Sequence, residues 1–359
     1  MIQRNTTIDA ARGIGIVLIV FGHNWIVGHE RGELFRLVFS FHVPLFFFLA
    51  GIFLRETDRF APFMAARADA LLKPYFVVSL TIGTFKLMGA ALAATVDQNH
   101  RNYFVGLFYG TGGSIDPTPM WFLPHLFLAS LGCLAVLHSV RGRAGARPVV
   151  LLLAAALLGG GIYIAGLFRQ QVEDFAPPIH WGNLPGLPWS LDLVPITMAF
   201  MLVGYLLGKP VQTLRFQAGL FAVALAVFAG LHYRFDEAMD LNLRAYGDPL
   251  ISTLQAAAGI YLTLSLAALA QRFAQLRQVL AYVGSGSLFI LMFHGYLQGR
   301  AFGALGKFSD NLYLNGALSL VAGVVLPVLL WELVKRQKLL ASLLLPQRPN
   351  RELIPAPQR

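Results

Sequence analysis

The chain has 359 residues, 56% hydrophobic and only 13% charged, against about 25% charged in a soluble globular protein. That balance excludes a soluble enzyme or binding module and defines a membrane protein. The formal charge of +10 signals no nucleic-acid partner, because the basic residues fall between apolar runs without forming a single patch. One cysteine, Cys133, excludes a disulfide framework and a Cys-rich metal site, and no metal ligation is expected.

Runs long enough to cross a bilayer centre on residues 8–28, 37–54, 74–94, 119–138, 149–167, 191–208, 216–232, 249–270, 280–298 and 312–334. The predicted fold is therefore all-α, a polytopic membrane helix bundle of about ten transmembrane helices. The first run lacks a small-residue cleavage site and is expected to be retained as a helix rather than removed as a signal peptide. No internal repeat is visible. A single domain over 1–345 is expected, followed by a short basic Pro-rich tail at 346–359.

Every second connection is rich in Lys and Arg: Arg55, Arg59, Arg67 and Lys73, then Arg141, Arg143 and Arg147, then Lys209 and Arg215, then Arg272 and Arg277. The alternate connections carry more acids, such as Glu173 and Asp174, or Asp236, Glu237, Asp240 and Asp248. By the positive-inside rule both termini are expected in the cytoplasm of a bacterial-type inner (plasma) membrane. The long connections at 95–118, 168–190 and 233–248, with Tyr103, His180 and Trp181, are then extracytoplasmic.

Within the first run, DAARGIGIVLIVFGH (9–23) holds Asp9, Arg12 and His23, although each ionisable group in hydrocarbon costs kilocalories. Asp9 and Arg12 are three apart and can pair on one helix face. Arg12 and His23 are eleven apart, which puts them on the same face about 16 Å apart along the axis. Gly13, Gly15 and Gly22 beside them suggest a close neighbouring helix. For Asp9 and Arg12 two readings stand, an interfacial anchor pair and a functional pair.

Orientation assigns depth to the other histidines. His42, in FSFHVPLFFFLAG, and His125, in MWFLPHLF beside Trp121, fall near the level of His23, as does His294 in SLFILMFHGY. Four histidines on four helices converge on one layer. A lone histidine on an apolar face is ordinarily structural, and about two of the four are expected to be so. Pro44 and Pro124 sit next to this layer, where proline frees backbone carbonyls at a cavity wall. The layer reads as the wall of a polar pocket, with His42, Trp121, His125 and His294 as candidate lining.

TIDAARGIGIVLIVFGH followed by FSFHVPLFFFLAGIFLR resembles the start of the acyltransferase 3 family of integral-membrane O-acyltransferases, in particular its fucose 4-O-acetylase-like branch. RADALLKPYF, MWFLPHLF and VGSGSLFILMFHGY resemble later segments of the family, so the likeness covers nearly all ten helices. The resemblance implies transfer of an acyl group, usually acetyl from acetyl-CoA, to a sugar hydroxyl of an extracytoplasmic glycan. Arg12 and His23 are the functional residues it carries over. It implies acyl-CoA as donor substrate with no bound cofactor, a carbohydrate acceptor, the bilayer, and glycan-assembly proteins as partners.

The residues fit that chemistry. A neutral imidazole suits a base that takes the hydroxyl proton, which makes His23, with Arg12 and Asp9, the catalytic candidate. Direct attack and an acetyl-imidazole intermediate both remain open. Arg55, Arg59, Arg67 and Lys73 are candidate ligands for the CoA phosphates. A secondary transporter would share the buried charges but is expected to show repeat symmetry, and none is visible; a glycan flippase would share the extracytoplasmic glycan but needs no acyl-CoA. A haem or quinone site is disfavoured because the histidines come one per helix, each in a different motif.

Overall fold

Asn5 accepts hydrogen bonds from the Thr7 and Ile8 amides at 3.1 and 3.2 Å and so starts helix α1, Thr6–Gly22. The cap satisfies amides that have no partner within the helix. The computed structural model describes residues 5–28, 32–169, 186–235 and 237–347, with no strand among them. His180, Trp181, Glu173, Asp174 and Asp236 lie outside the described residues, as does the tail beyond Gln347.

All ten expected runs are helical. Seven are long and apolar enough to cross a membrane: α2 Glu33–Gly51, α3 Phe60–Leu92, α5 Thr118–Val140, α6 Ala146–Gly166, α7 Pro188–Gln212, α9 Pro249–Ala270 and α12 Leu312–Arg336. The ninth run is broken: α10, Ala274–Ser285, and α11, Ser287–Leu305, meet at a 77° bend around Gly286. Counting that pair as one span gives eight. The first and seventh runs, α1 and α8 (Ala218–Arg234), have 17 residues each, a length at the lower limit for spanning. Helix α4, Gln98–Tyr109, is a polar addition between α3 and α5, begun by an Asp97 capping box with His100 and ended by Gly110 in the left-handed conformation.

Helices α2, α5, α7 and α9 bury more than half of their apolar stretches, whereas α3, α6 and α12 stay largely on the periphery. Helix α1 threads among the inner set and packs closely on α10, where a Cβ on Gly13 would lie 2.1 Å from the Leu280 carbonyl oxygen. One on Gly284 would lie 1.9 Å from the Asp9 carbonyl oxygen. Only glycine permits that approach, which holds the Asp9–Arg12 turn against α10.

The two ends of the bundle differ in charge. Asn5 bonds the Gln212 carbonyl at 2.9 Å, Thr6 bonds Gln271 at 2.7 Å, and Lys73 bonds the Leu345 carbonyl at 2.7 Å. Arg147 bonds the Leu206 carbonyl at 2.8 Å. These contacts gather the Lys- and Arg-rich connections at the end that holds Asn5 and Gln347. At the other end lie the acidic connections, including a buried ion pair between Arg244 and Asp192.

Candidate active site

His23 is not inside α1 but caps it: with φ −95° and ψ 3° it follows Gly22, and its amide still bonds the Ile19 carbonyl at 3.1 Å. Its ring folds back on the same carbonyl, with Nδ1 at 2.9 Å. A carbonyl only accepts, so Nδ1 carries the proton and Nε2 is left with a lone pair. Unlike His42, His125 and His294, which are buried, His23 is exposed to a cavity.

His42 and His294 share this arrangement. Nδ1 of His42 donates to the Val38 carbonyl at 2.8 Å, and Nδ1 of His294 to the Ile290 carbonyl at 2.7 Å. The rings of His23 and His294 lie 5.2 Å apart, and Phe39 touches both His23 and His42, at 6.1 and 4.6 Å. His294 Nε2 is buried with no hydrogen-bond partner among the described residues. His125 is set apart from this cluster. Its Nδ1 donates to the Trp189 carbonyl at 3.2 Å, Thr197 donates to its Nε2 at 2.9 Å, and its ring neighbours are Trp121 and Phe47. The structure thus gathers three of the four expected histidines and spends the fourth on holding α5 to α7.

Two cavities flank the cluster. One, of about 320 Å³, is lined by Arg12 and Arg67 at the basic end, by Ser287 where α11 begins, and by Ile16, Ile19, Phe46, Leu123, Leu126 and Leu291. Away from Arg12, Arg67 and Ser287 its wall is apolar. Ile19 and Leu291 line it, and their own carbonyls accept from His23 and, at 3.1 Å, from His294. The imidazoles therefore stand about one helical turn, ~5 Å, beyond its inner wall. The other cavity, of about 510 Å³, opens at the acidic end and is lined by His23, Asp116, Thr118, Tyr296 and Arg300.

Arg12 pairs with Asp9 at 3.6 Å and covers the Phe53 ring at 5.0 Å. Arg67 stacks on Phe63 at 5.0 Å. Lys73 is occupied by Asp69 at 2.6 Å, while Arg55 and Arg59 are exposed outside the cavity lining. Of the basic donor candidates, only Arg67 joins Arg12.

Sequence reasoning missed Asp116, Tyr296, Arg300 and Asp240. Asp116 pairs with Lys86, and its carbonyl accepts from Tyr103 at 3.0 Å. Burial, and then the Asp116 charge, push the Tyr103 phenol above its usual range, so it remains a neutral donor. Asp240 is the carboxylate whose charge reaches His23, in a loop anchored by the Arg244–Asp192 pair. Arg300 left one signal: a cation beside a span in a connection expected to be poor in them.

A helical membrane bundle with an accessible imidazole between two cavities has the layout of a membrane-embedded transferase. The family comparison agrees: the chain matches the acyltransferase domain model, that of the acyltransferase 3 family, over residues 5–333 and belongs to that family. It is an integral-membrane acyltransferase acting on a hydroxyl. No curated protein and no solved structure matches it.

Proposed function

We propose that this enzyme moves an acetyl group from acetyl-CoA on the cytoplasmic side to a hydroxyl of an extracytoplasmic carbohydrate, such as a surface polysaccharide. The observation that carries the reading is the position of His23: its ring faces the outer cavity while its helix turn forms the wall of the inner one. The basic connections that gather at the inner end support a cytoplasmic placement of that end in a bacterial-type inner membrane.

In this reading the CoA phosphates meet Arg12 and Arg67 and the uncapped amides at the start of α11 beside Ser287, since helix starts and guanidinium groups both favour phosphate. The uncharged pantetheine arm runs along Ile16, Ile19 and Leu291. The acceptor oxygen attacks the thioester carbon, the carbon–sulfur bond breaks, and the hydroxyl proton passes to Nε2 of His23 and on to the departing sulfur. His294 and His42 back the wall behind His23.

The test uses the purified enzyme with acetyl-CoA labelled in the acetyl group and polysaccharide from a strain lacking the enzyme. Label that enters the polymer and leaves on mild alkaline treatment supports an O-ester. Labelled donor turned over with none in the polymer removes the carbohydrate acceptor.

A further inference from the structure

Among the described residues that line the outer cavity Arg300 is the one cation, and the neutral His23 ring beside it supplies the base. Its Nη2 bonds the Tyr296 hydroxyl at 3.1 Å, and the guanidinium lies over the Tyr296 ring, 5.1 Å from its centre. The two residues are one turn apart on α11, so the guanidinium is held in place, with its remaining N–H groups unused by any carboxylate among the described residues. The one acid in the cavity lining, Asp116, is neutralised by Lys86. Within the lining of this cavity, among the described residues, Arg300 is therefore a positive charge beside the imidazole that no carboxylate pairs, although the more distant Asp240 charge also reaches His23. A neutral sugar gains little from such a charge, whereas a carboxylate or phosphate accepts two parallel N–H bonds from it.

We infer that the acceptor is anionic: Arg300 seats a carboxylate or phosphate of the same glycan whose hydroxyl meets His23. The inference rests on the glycan-acylating reading above and adds the charge of its acceptor. The charge sets binding, not chemistry, because the bond to Arg300 is present before and during transfer alike.

The experiment compares three forms of the polysaccharide from a strain lacking the enzyme: native, carboxyl-reduced with carbodiimide and borohydride, and dephosphorylated with aqueous hydrofluoric acid. Arg300 is exposed, so Arg300→Gln leaves the packing intact. That variant should raise the KM for the native polymer about tenfold, the value of one charge-assisted contact, with kcat within about twofold. For the wild type, one of the two treatments should raise KM by the same factor and add nothing further in Arg300→Gln; which treatment does so identifies the anion. Arg300→Lys should recover part of the loss. Equal KM for all three forms in the wild type, or an unchanged KM in Arg300→Gln, overturns the inference while leaving acylation standing. No label in any form with the wild type removes the acylation reading and this inference with it.

Discussion

The rings of His23 and His294 meet edge to face, 5.2 Å apart and inclined at 74°, with both Nδ1 atoms committed to backbone carbonyls of their own helices. One ring is open to the outer cavity and the other is buried, with Nε2 unpartnered among the described residues. The two have different work. Of the two, His23 is the ring that lines a cavity, so in the proposed reaction it meets the substrate while the buried His294 backs it.

Replacing His23 with Ala should lower the transfer rate by about 10²–10⁴-fold, the usual share of a positioned base, because the residue caps a helix without contributing to the core. His294→Ala should cost less rate, about tenfold, and more stability, about 2–5 kcal/mol for an emptied core site. Labelled acetyl transfer and thermal unfolding in detergent measure the two. Full activity in His23→Ala removes it from the chemistry.

The paired arginines of the inner cavity give a donor prediction. Arg12→Gln and Arg67→Gln should each raise the KM for acetyl-CoA about tenfold or more, as expected for a lost contact to phosphate. Neither should change the KM for S-acetylpantetheine, which lacks those phosphates. Arg55→Gln and Arg59→Gln, outside the cavity, should behave as wild type. Equal losses with both donors would instead assign Arg12 to the chemical step or to its pairing with Asp9.

The helices and the axis of the site were legible because hydrocarbon forces long apolar runs, and because Asp9, Arg12 and His23 are conspicuous inside one. The bend at Gly286 was not, since the apolar run continues through VGSGS and hides the 77° change of direction. Depth also gave His125 the same standing as His294. What separates them is partnership: Thr197 and the Trp189 carbonyl use both nitrogens of His125, whereas Nε2 of His294 has no partner among the described residues. Periodicity reports level along a helix, and partners come from the neighbours. Asp116 and Asp240 meet the site from two separate connections and Arg300 from the far end of α11, so no local pattern announces them.

Arg244 and Asp192 form an ion pair at 2.9 Å with both side chains fully buried, and Asn242 and Ser190 complete the arginine's bonds. Arg244→Met should destabilise the protein by about 3–5 kcal/mol, because it leaves Asp192 charged and unpaired. Adding Asp192→Leu should recover much of that loss. Unfolding temperatures of the two single variants and the double variant close the cycle, and a double variant no better than Arg244→Met would show that the pair's neighbours, not its charges, hold the loop.

In the proposed reading Arg300 and Arg59 lie on opposite faces of the membrane, since the outer cavity holds the first and the basic end carries the second. Cys133 is fully buried, so the wild-type background should stay silent to a membrane-impermeant thiol reagent. In intact cells or right-side-out vesicles, Arg300→Cys should be modified from outside, and soluble acceptor polysaccharide should slow the reaction because it fills the cavity. Arg59→Cys should react only after the membrane is opened. Arg67→Cys should react from the cytoplasmic side and be protected by CoA, which links the donor cavity to that face independently of turnover. If Arg59→Cys were modified from outside, the basic connections would face the wrong compartment. The donor could then not be cytoplasmic CoA, and the directions assigned to both cavities would have to be exchanged.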